Sequence, residues 1–530
     1  MHPLALGSRR VLAAAVLAAA VAGSAAIAAP AHAHPHDEKP SHGKDAGKHW
    51  EKDAFRGQVD VVPGDGADEE TVSGTVFEDR NENSKQDRRE KGIEGVTVSN
   101  GRDVVTTDGD GAYELPAYEN MSVFVTQPAG YQVPVDESNV AQFSYTHLPE
   151  GSPDDLSLYP QTRELANMLN GPARFLPGNH DLDFDATSSE HAFDTYRQNF
   201  GAEYYSYDVG NIHFVALSTV EYPLEGSTSY EAGIDDRQME WLRNDIANTP
   251  ENKLVVIAGH IALLDFADND LAQHQVPQVK EIYELLDGRE ALALSGHTHS
   301  LENLQEGDAV AGWREVMGVE ELPFQHITAG AISGDWYSGE MLEGGYPTAL
   351  QRDGAVPGVV NLAIEGTEVR ESFTIRGGDE EDQMALGLNS PSYREWFEEN
   401  KDADGDAPGF EHPGTHTAED LADTTWLTTS FWMGSTGATV EVELDGAEAE
   451  PAERTQEMAG EAVKIGAEWS DPAATQEQLV HGGSVADRSM HILRYELPTA
   501  LEAGTHTAKV TATDRHGESF TETIEFAVED

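Results

Sequence analysis

Apolar positions along this chain change their spacing three times. From about Glu70 to Tyr145 they alternate with polar ones, as in Val72-Ser73-Gly74-Thr75-Val76-Phe77, Val96-Thr97-Val98 and Val123-Phe124-Val125. A period of two, broken by Gly, Asp and Pro turns, predicts half-buried strands and a small β-sandwich over residues 70–147. Between Asp155 and Arg376 the apolar runs become continuous: Ala173–Leu176, Ile212–Leu217, Leu254–Ala258 and Ala291–Leu294. Strands of this kind need cover on both faces. They alternate with helix-like segments at Gln238–Ala247 and Val279–Leu286, so residues 154–377 read as a layered α/β domain. Glu380–Asn400 is acidic and tolerates a helix. Alternation then returns in Thr439–Leu444, Thr507–Ala512 and Thr521–Val528, which predicts a second β-sandwich within 378–530.

The ends of the pattern differ from its middle. Ser8-Arg9-Arg10 precedes a small-apolar run from Val11 to Ala28, and Ala31-His32-Ala33 fits a small-x-small cleavage site. Residues 1–33 therefore read as an export signal, compatible with the twin-arginine route, and the mature protein as secreted. The other reading of the run is a membrane anchor. No later segment is apolar for long enough to span a bilayer, so no membrane attachment is expected after cleavage. Residues 34–69 are polar, charged and His-bearing, and read as a linker.

Composition narrows the partners. Among 530 residues, 33 Lys and Arg stand against 96 Asp and Glu, a net charge of −63. Such a field repels phosphate backbones and anionic lipid, so nucleic-acid binding is not expected. It suits a protein that must stay soluble at high ionic strength. With no cysteine, disulfides, thiolate metal sites and cysteine nucleophiles are excluded.

The candidate chemistry sits where apolar runs stop. Phe175-Leu176-Pro177 leads into Gly178-Asn179-His180-Asp181, Val256-Ile257-Ala258 into Gly259-His260, and Ala293-Leu294-Ser295 into Gly296-His297-Thr298-His299. In open α/β sheets ligands gather beyond the carboxyl ends of strands, and Gly permits the sharp turn there. Asn179, His180, His260, His297 and His299 are thus placed to share one pocket. Imidazole nitrogens with an amide oxygen suit a borderline divalent metal such as Mn, Fe or Zn.

These three motifs, in this order, resemble those of the calcineurin-like metallophosphoesterases. Gly330–Gly339 and Asp353–Gly358 look like the secreted, three-part branch, which places a β-sandwich before and after the phosphoesterase domain. The resemblance implies that Asn179, His260 and His297 hold one metal and His299 another. It implies that His180, oriented by Asp181, protonates the leaving alcohol. The reaction implied is hydrolysis of a phosphomonoester, a phosphodiester or a nucleotide-like substrate by metal-activated hydroxide. The chain departs from the family before Gly178, where neither Asp-x-His nor Gly-Asp-x-x-x-Asp occurs. The sandwich ends near His147, and Leu156–Met168 already reads as the helix expected after the second motif. A segment lost between the sandwich and Asp154 accounts for this. The expected consequences are a two-metal site without its bridging carboxylate, weak or half-occupied, and an unpaired sheet edge. The rival reading, from another functional class, is a non-catalytic extracellular binding protein on a degenerate phosphoesterase core.

A second cation motif lies in the first sandwich. Asp79, Asn81, Asn83, Asp87 and Glu90 occupy the first, third, fifth, ninth and twelfth places of a twelve-residue EF-hand-like loop, with the Lys85 carbonyl at the seventh. Hard oxygen donors suit Ca²⁺, although Ser84 stands where Gly is usual. With strand-like flanks, and with Gly92-Ile93-Glu94-Gly95-Val96-Thr97-Val98 following, the segment resembles calcium loops of B-type repeats in bacterial surface proteins. The other reading is an Asn/Asp-rich turn. Trp336 and Tyr337 either stack on substrate at the pocket rim or pack between domains. His416 lies in a polar stretch and reads as solvated.

Overall fold

The computed structural model of the chain describes residues 56–529 apart from 64–70, 119–120, 148–158, 170, 185, 225–228, 404, 412, 485 and 487. The export signal, and the stretch 148–158 next to the expected lost segment, lie outside the described residues.

The central sheet has six strands in the order Leu301–Leu304, Gln325–Ala329, Ala291–Ser295, Leu254–Gly259, Ile212–Leu217, Tyr205–Val209. The inner four are parallel and the two outer ones antiparallel. Continuous apolar runs form these strands because each face is covered by a different layer. Val215, Val255, Ile257 and Ala293 pack with Leu242, Ile246, Val279 and Ile282 of the helices Asp236–Asn248 and Val279–Leu286. Phe214, Val256, Leu292 and Leu294 point the other way, against Leu362 and Val360 of the hairpin Gly358–Glu365/Glu368–Ile375. The longer helix starts at Asp235, whose carboxylate accepts the Gln238 N–H at 2.6 Å.

The N-terminal sandwich consists of two four-stranded sheets. One of its strands, Gly57–Pro63, falls inside the stretch expected to be linker. Val59 and Val61 alternate with Asp60 and Val62, bury themselves in the sandwich core, and pair the segment with Thr71–Asp79. The C-terminal domain is also a two-sheet sandwich, with Leu427, Val440, Val442, Val510 and Phe526 in its core. Glu380–Asn400 divides into a strand, Met384–Asn389, and a helix, Pro391–Asn400, that starts at the Ser390 cap. His416 is fully buried and makes no hydrogen bond through either ring nitrogen, contrary to a solvated position. It pairs within the parallel strand Thr415–Thr417, beside Phe526.

Two further expectations are corrected on the sandwich side of the sheet. Ala173–Leu176 is not a sheet strand. Its backbone makes a single bridge, from Ala173 to Val140 of the sandwich. Pro172 and Pro177 flank it and cannot donate to a ladder. Arg174 is drawn over Tyr207 and Phe143, 4.2 and 4.9 Å from the ring centroids. Nor is the sheet edge left bare. Asp208 N–H of the edge strand donates to the Gln127 carbonyl at 2.8 Å, and Thr126 and Ser206 share a hydroxyl hydrogen bond at 2.9 Å. Phe124 meets Tyr204 and Trp241 edge-on, at centroid separations of 6.2 and 5.8 Å. The sandwich and the α/β layer thus share one hydrophobic core.

Candidate metal and active site

Neighbouring parallel strands carry His260 and His297 to the same end of the sheet. Gly259 is the last residue of its strand and lies against Thr219, where a side-chain carbon would come within 2.5 Å of Thr219 Cγ2. Past Ser295, the Gly296 N–H donates to the His260 carbonyl at 3.1 Å, which ties the two loops together. His297 and His299 both have left-handed backbone, with φ of 72° and 55°. Non-glycine residues hold that conformation at a cost, and such strain concentrates at functional sites. Here the alternation turns both imidazoles toward the cleft while Thr298, between them, donates to Asp265 at 2.7 Å.

Asn179 arrives from the other side, on the short turn Asn179–Asp181. Its Oδ1 lies 2.8 Å from His260 Nε2, and His297 Nδ1 lies 3.2 Å from the same nitrogen. Gly178 makes this approach possible, because a Cβ there would stand 3.0 Å from His260 Cε1. Two donors each ~2.1 Å from one cation, at right angles, are ~3 Å apart. The two measured separations match that geometry. Burial, reinforced by His299 and His180, pushes His260 down to about 3. His297 is likewise held well below the usual imidazole range, mainly by burial. Neutral imidazoles facing one another with a single amide oxygen form a donor set that fits one borderline cation.

His299 sits further out. Its Nδ1 is 3.2 Å from Asp335 Oδ1, and Asp335 also accepts the Ser484 N–H of the C-terminal domain at 2.6 Å. Burial opposes the Asp335 charge, but these partners hold its carboxyl below the ordinary range. His180 is half-buried, 6.4 Å between centroids from Trp336, and its pKa is lowered by burial and by His299. Asp181 does not orient His180 as expected. Its oxygens take the Gly178 N–H at 2.7 Å and the Tyr159 hydroxyl at 2.8 Å, so it braces the turn instead. Burial raises this carboxyl to about 6.

Several neighbours escaped the sequence reading. Tyr230 OH lies 3.2 Å from His297 Nε2. The His274 ring is 5.0 Å from that of His297, and its Nδ1 bonds Asp268 at 2.6 Å, which Arg352 grips with both guanidinium nitrogens at 2.6 and 2.7 Å. These groups come from loops with no strand-end pattern to announce them. Among the described residues, a separate His/Asp/Glu triple with ligand atoms within 4.8 Å occurs at Glu340, Glu477 and His481. Glu477 there already accepts the Glu340 N–H and the Thr348 hydroxyl, both at 2.8 Å. The imidazole cluster is the better-built site, because Asn179 and His260 are buried and both Asn179 Oδ1 and His297 Nδ1 lie within 3.2 Å of His260 Nε2.

The loop in the first sandwich is wound around its two end carboxylates. Asp79 accepts the N–H groups of Glu82 and Ser84, both at 2.7 Å, and those of Asn81 and Asn83 at 3.2 and 3.3 Å. Glu90 accepts Arg80 and Asp87 N–H at 2.8 and 2.7 Å. Asn81 and Asn83 both donate to Asp87 Oδ2, and Lys85 N–H donates to Asn83. Ser84 adopts φ 54°, the conformation for which Gly is usual at its place. Behind the loop, Asp60 is 7% exposed and its Oδ2 has no hydrogen-bond partner. Burial raises its pKa, the Ser84 hydroxyl lowers it, and the Asp79 charge raises it further.

Models of known families match the chain in three successive stretches, the first two overlapping. The N terminal of calcineurin-like phosphoesterase matches residues 80–158, calcineurin-like phosphoesterase itself 146–301, and the C terminal of calcineurin-like phosphoesterase 326–520. No curated protein matches the chain.

Proposed function

The chain belongs to the calcineurin-like phosphoesterases, with the N-terminal, catalytic and C-terminal domains in order, and from that premise we propose that it is an exported, metal-dependent hydrolase of a phosphomonoester or phosphodiester. The observation that carries this is the convergence of Asn179 Oδ1, His260 Nε2 and His297 Nδ1 within 2.8 and 3.2 Å contacts. Those three atoms are the ligands we assign to a transition cation, Mn, Fe or Zn, with His299 assigned to a second, weaker one. Bound there, such ions acidify water and offset charge on the phosphoryl group. His180, half-buried beside the cleft, is the group we assign to hand a proton to the departing alkoxide. Asp335 and Tyr230 steady His299 and His297. Export follows from residues 1–33, which lie outside the described residues. Among the described residues no helix is long and apolar enough to cross a membrane.

The test pairs metal analysis with turnover of bis-p-nitrophenyl phosphate and p-nitrophenyl phosphate in Mn. The proposal expects at least one equivalent of transition metal per chain, and turnover lost in His260→Ala together with the metal. The second reading, an extracellular binding protein, is favoured by the absence of Asp-x-His and Gly-Asp-x-x-x-Asp motifs before Gly178. It wins if metal binds and no ester turns over.

We propose separately that Asp79, Asn81, Asn83, Asp87, Glu90 and the Lys85 carbonyl hold Ca²⁺ in a structural role. The support beyond the acidic loop is the orphaned, buried Asp60 Oδ2 beside it. A third carboxylate is buried there with Asp79 and Glu90, and a cation would offset their mutual repulsion. Calorimetry should show a calcium-dependent rise in melting temperature that Asp79→Asn abolishes. A melting temperature indifferent to Ca²⁺ and chelator overturns it.

A further inference from the structure

The loop that supplies Asp335 to the site is built to present two aromatic rings rather than to bury them. Asp335 N–H donates to the Leu350 carbonyl at 3.0 Å, the Ser338 hydroxyl to the Asp335 carbonyl at 2.7 Å, and Ala349 N–H to the Ser338 carbonyl at 2.8 Å. The loop is therefore fastened on both sides and through the Asp335 side chain. Yet Trp336 and Tyr337, at its tip, are 56% and 51% exposed. Both hold left-handed backbone, φ 54° and 53°, which is costly for bulky side chains and is held by the surrounding bonds. Residues packed between domains would not be half in solvent, so this position favours a rim over a structural seam. The rim adjoins the chemistry. The Trp336 ring is 5.3 Å from His299 and 6.4 Å from His180, edge-on to each. More than half of Trp336 is thus open to solvent beside the assigned metal ligand and proton donor.

Charge limits what can lie there. From Gly330 to Tyr346 the loop contains Asp335, Glu340 and Glu343 and no Lys or Arg. Arg352, beyond it, is committed to Asp268. Arg376, which stacks on Tyr346 at the end of the loop, is tied to the Pro347 and Thr348 carbonyls, so the carboxylates of the loop set its field and disfavour a second phosphate. Exposed Ile332 and Met341 add apolar surface to the same loop.

We infer that Trp336, with Tyr337 beside it, stacks on a planar aromatic substituent of the phosphoester, so that the substrate class is an aryl or nucleoside ester carrying a single phosphate. This rests on the hydrolase reading above, and its test must separate the two. Non-hydrolysable phosphonates, in which CH2 replaces the bridging ester oxygen, serve as probes: the phenyl analogue (benzylphosphonate), the thymidine 5′ analogue and the ethyl analogue (propylphosphonate). Titration calorimetry on the full-length, Mn-supplemented protein should show the aromatic probes binding about tenfold or more tighter than the ethyl one. Trp336→Ala should erase that preference and Trp336→Phe restore most of it, with the ethyl affinity unchanged throughout. The tighter of the two aromatic probes identifies the source as aryl alcohol or nucleoside. Equal binding of phenyl, thymidine and ethyl probes, or a preference untouched by Trp336→Ala, overturns the inference. Aromatic preference without turnover of any ester leaves the stacking role of Trp336 standing, for a bound ligand rather than a substrate, and sinks the hydrolase reading instead.

Discussion

At the scale of single residues, the site depends on where side chains are absent as much as on where they are present. His260 can reach Asn179 because Gly178 offers no Cβ to the ring, which would otherwise meet it at 3.0 Å. The neighbour is a buried imidazole held on two sides, so it has little room to give. Gly178→Ala should therefore move His260 by a few tenths of an ångström and weaken Mn binding by ~10-fold or more, as disturbing the support of a ligand does. The backbone at Gly178 is extended, at φ −108° and ψ 179°, so alanine adds no torsional strain. The melting temperature should hence shift little. An unchanged Mn affinity by titration calorimetry would show that the ring does not need this space. Asn179, His260 and His297 were legible because each follows a Gly at the end of an apolar run. Asp335, Tyr230 and His274 were not, since long loops deliver them and no local pattern marks a residue that acts only after folding.

At the scale of elements, a buried charge network fastens the edge strand Tyr205–Val209. His213 lies between Asp208 and Asp245, at 2.9 and 2.8 Å, with Lys253 on the far side of Asp208 and the neutral Ser206 and Thr126 completing the chain into the sandwich. Burial alone would lower the His213 pKa, but the two carboxylates more than offset it and raise it to about 9. A raised folded pKa means that the charged form stabilises the fold. That contribution is complete below the unfolded value of ~6.5 and is lost as pH rises through about 9. Stability should fall between about pH 6.5 and 9, by a few kcal/mol at most. His213→Gln should be less stable at pH 6 and show a flatter decline over that range in denaturant titrations. Parallel slopes for both proteins would contradict the network's role. The strands beside this network were readable where both faces bury apolar groups, as in Ile212–Leu217 and Leu254–Gly259. Gly57–Pro63 hid in charged surroundings because only Val59 and Val61 mark its inner face. Ala173–Leu176 misled for the opposite reason: its apolar run is genuine, but two prolines and a stacked Arg174 keep it out of the ladder.

At the scale of the whole molecule, a net charge of −63 sets a self-repulsion that salt should relieve. Raising ionic strength from about 0.01 to 1 M shortens the screening length from ~30 to ~3 Å, so the melting temperature should climb across that range. A flat or falling trace would mean that local ion pairs, not the overall field, set the response. The fold makes a second demand at this scale. Phe124 belongs to the sandwich, yet it lies 1% exposed against Tyr204 and Trp241 of the α/β layer, and Asn244 of the long helix donates to the sandwich carbonyl of Arg102 at 3.2 Å. The sandwich therefore occupies the side of the sheet where an open edge was expected, and one continuous core runs through both units. Removing a buried Phe ring commonly costs ~3–5 kcal/mol. In Phe124→Ala that loss should appear on both sides of the interface at once. Hydrogen exchange should accelerate together in Thr97–Ser99 of the sandwich and in Ile212–Leu217 of the sheet. Thr439–Leu444, in the separate C-terminal core, should keep its protection. If only the sandwich strands open, the two are independent domains in contact, and the sheet edge must be held by its own strands.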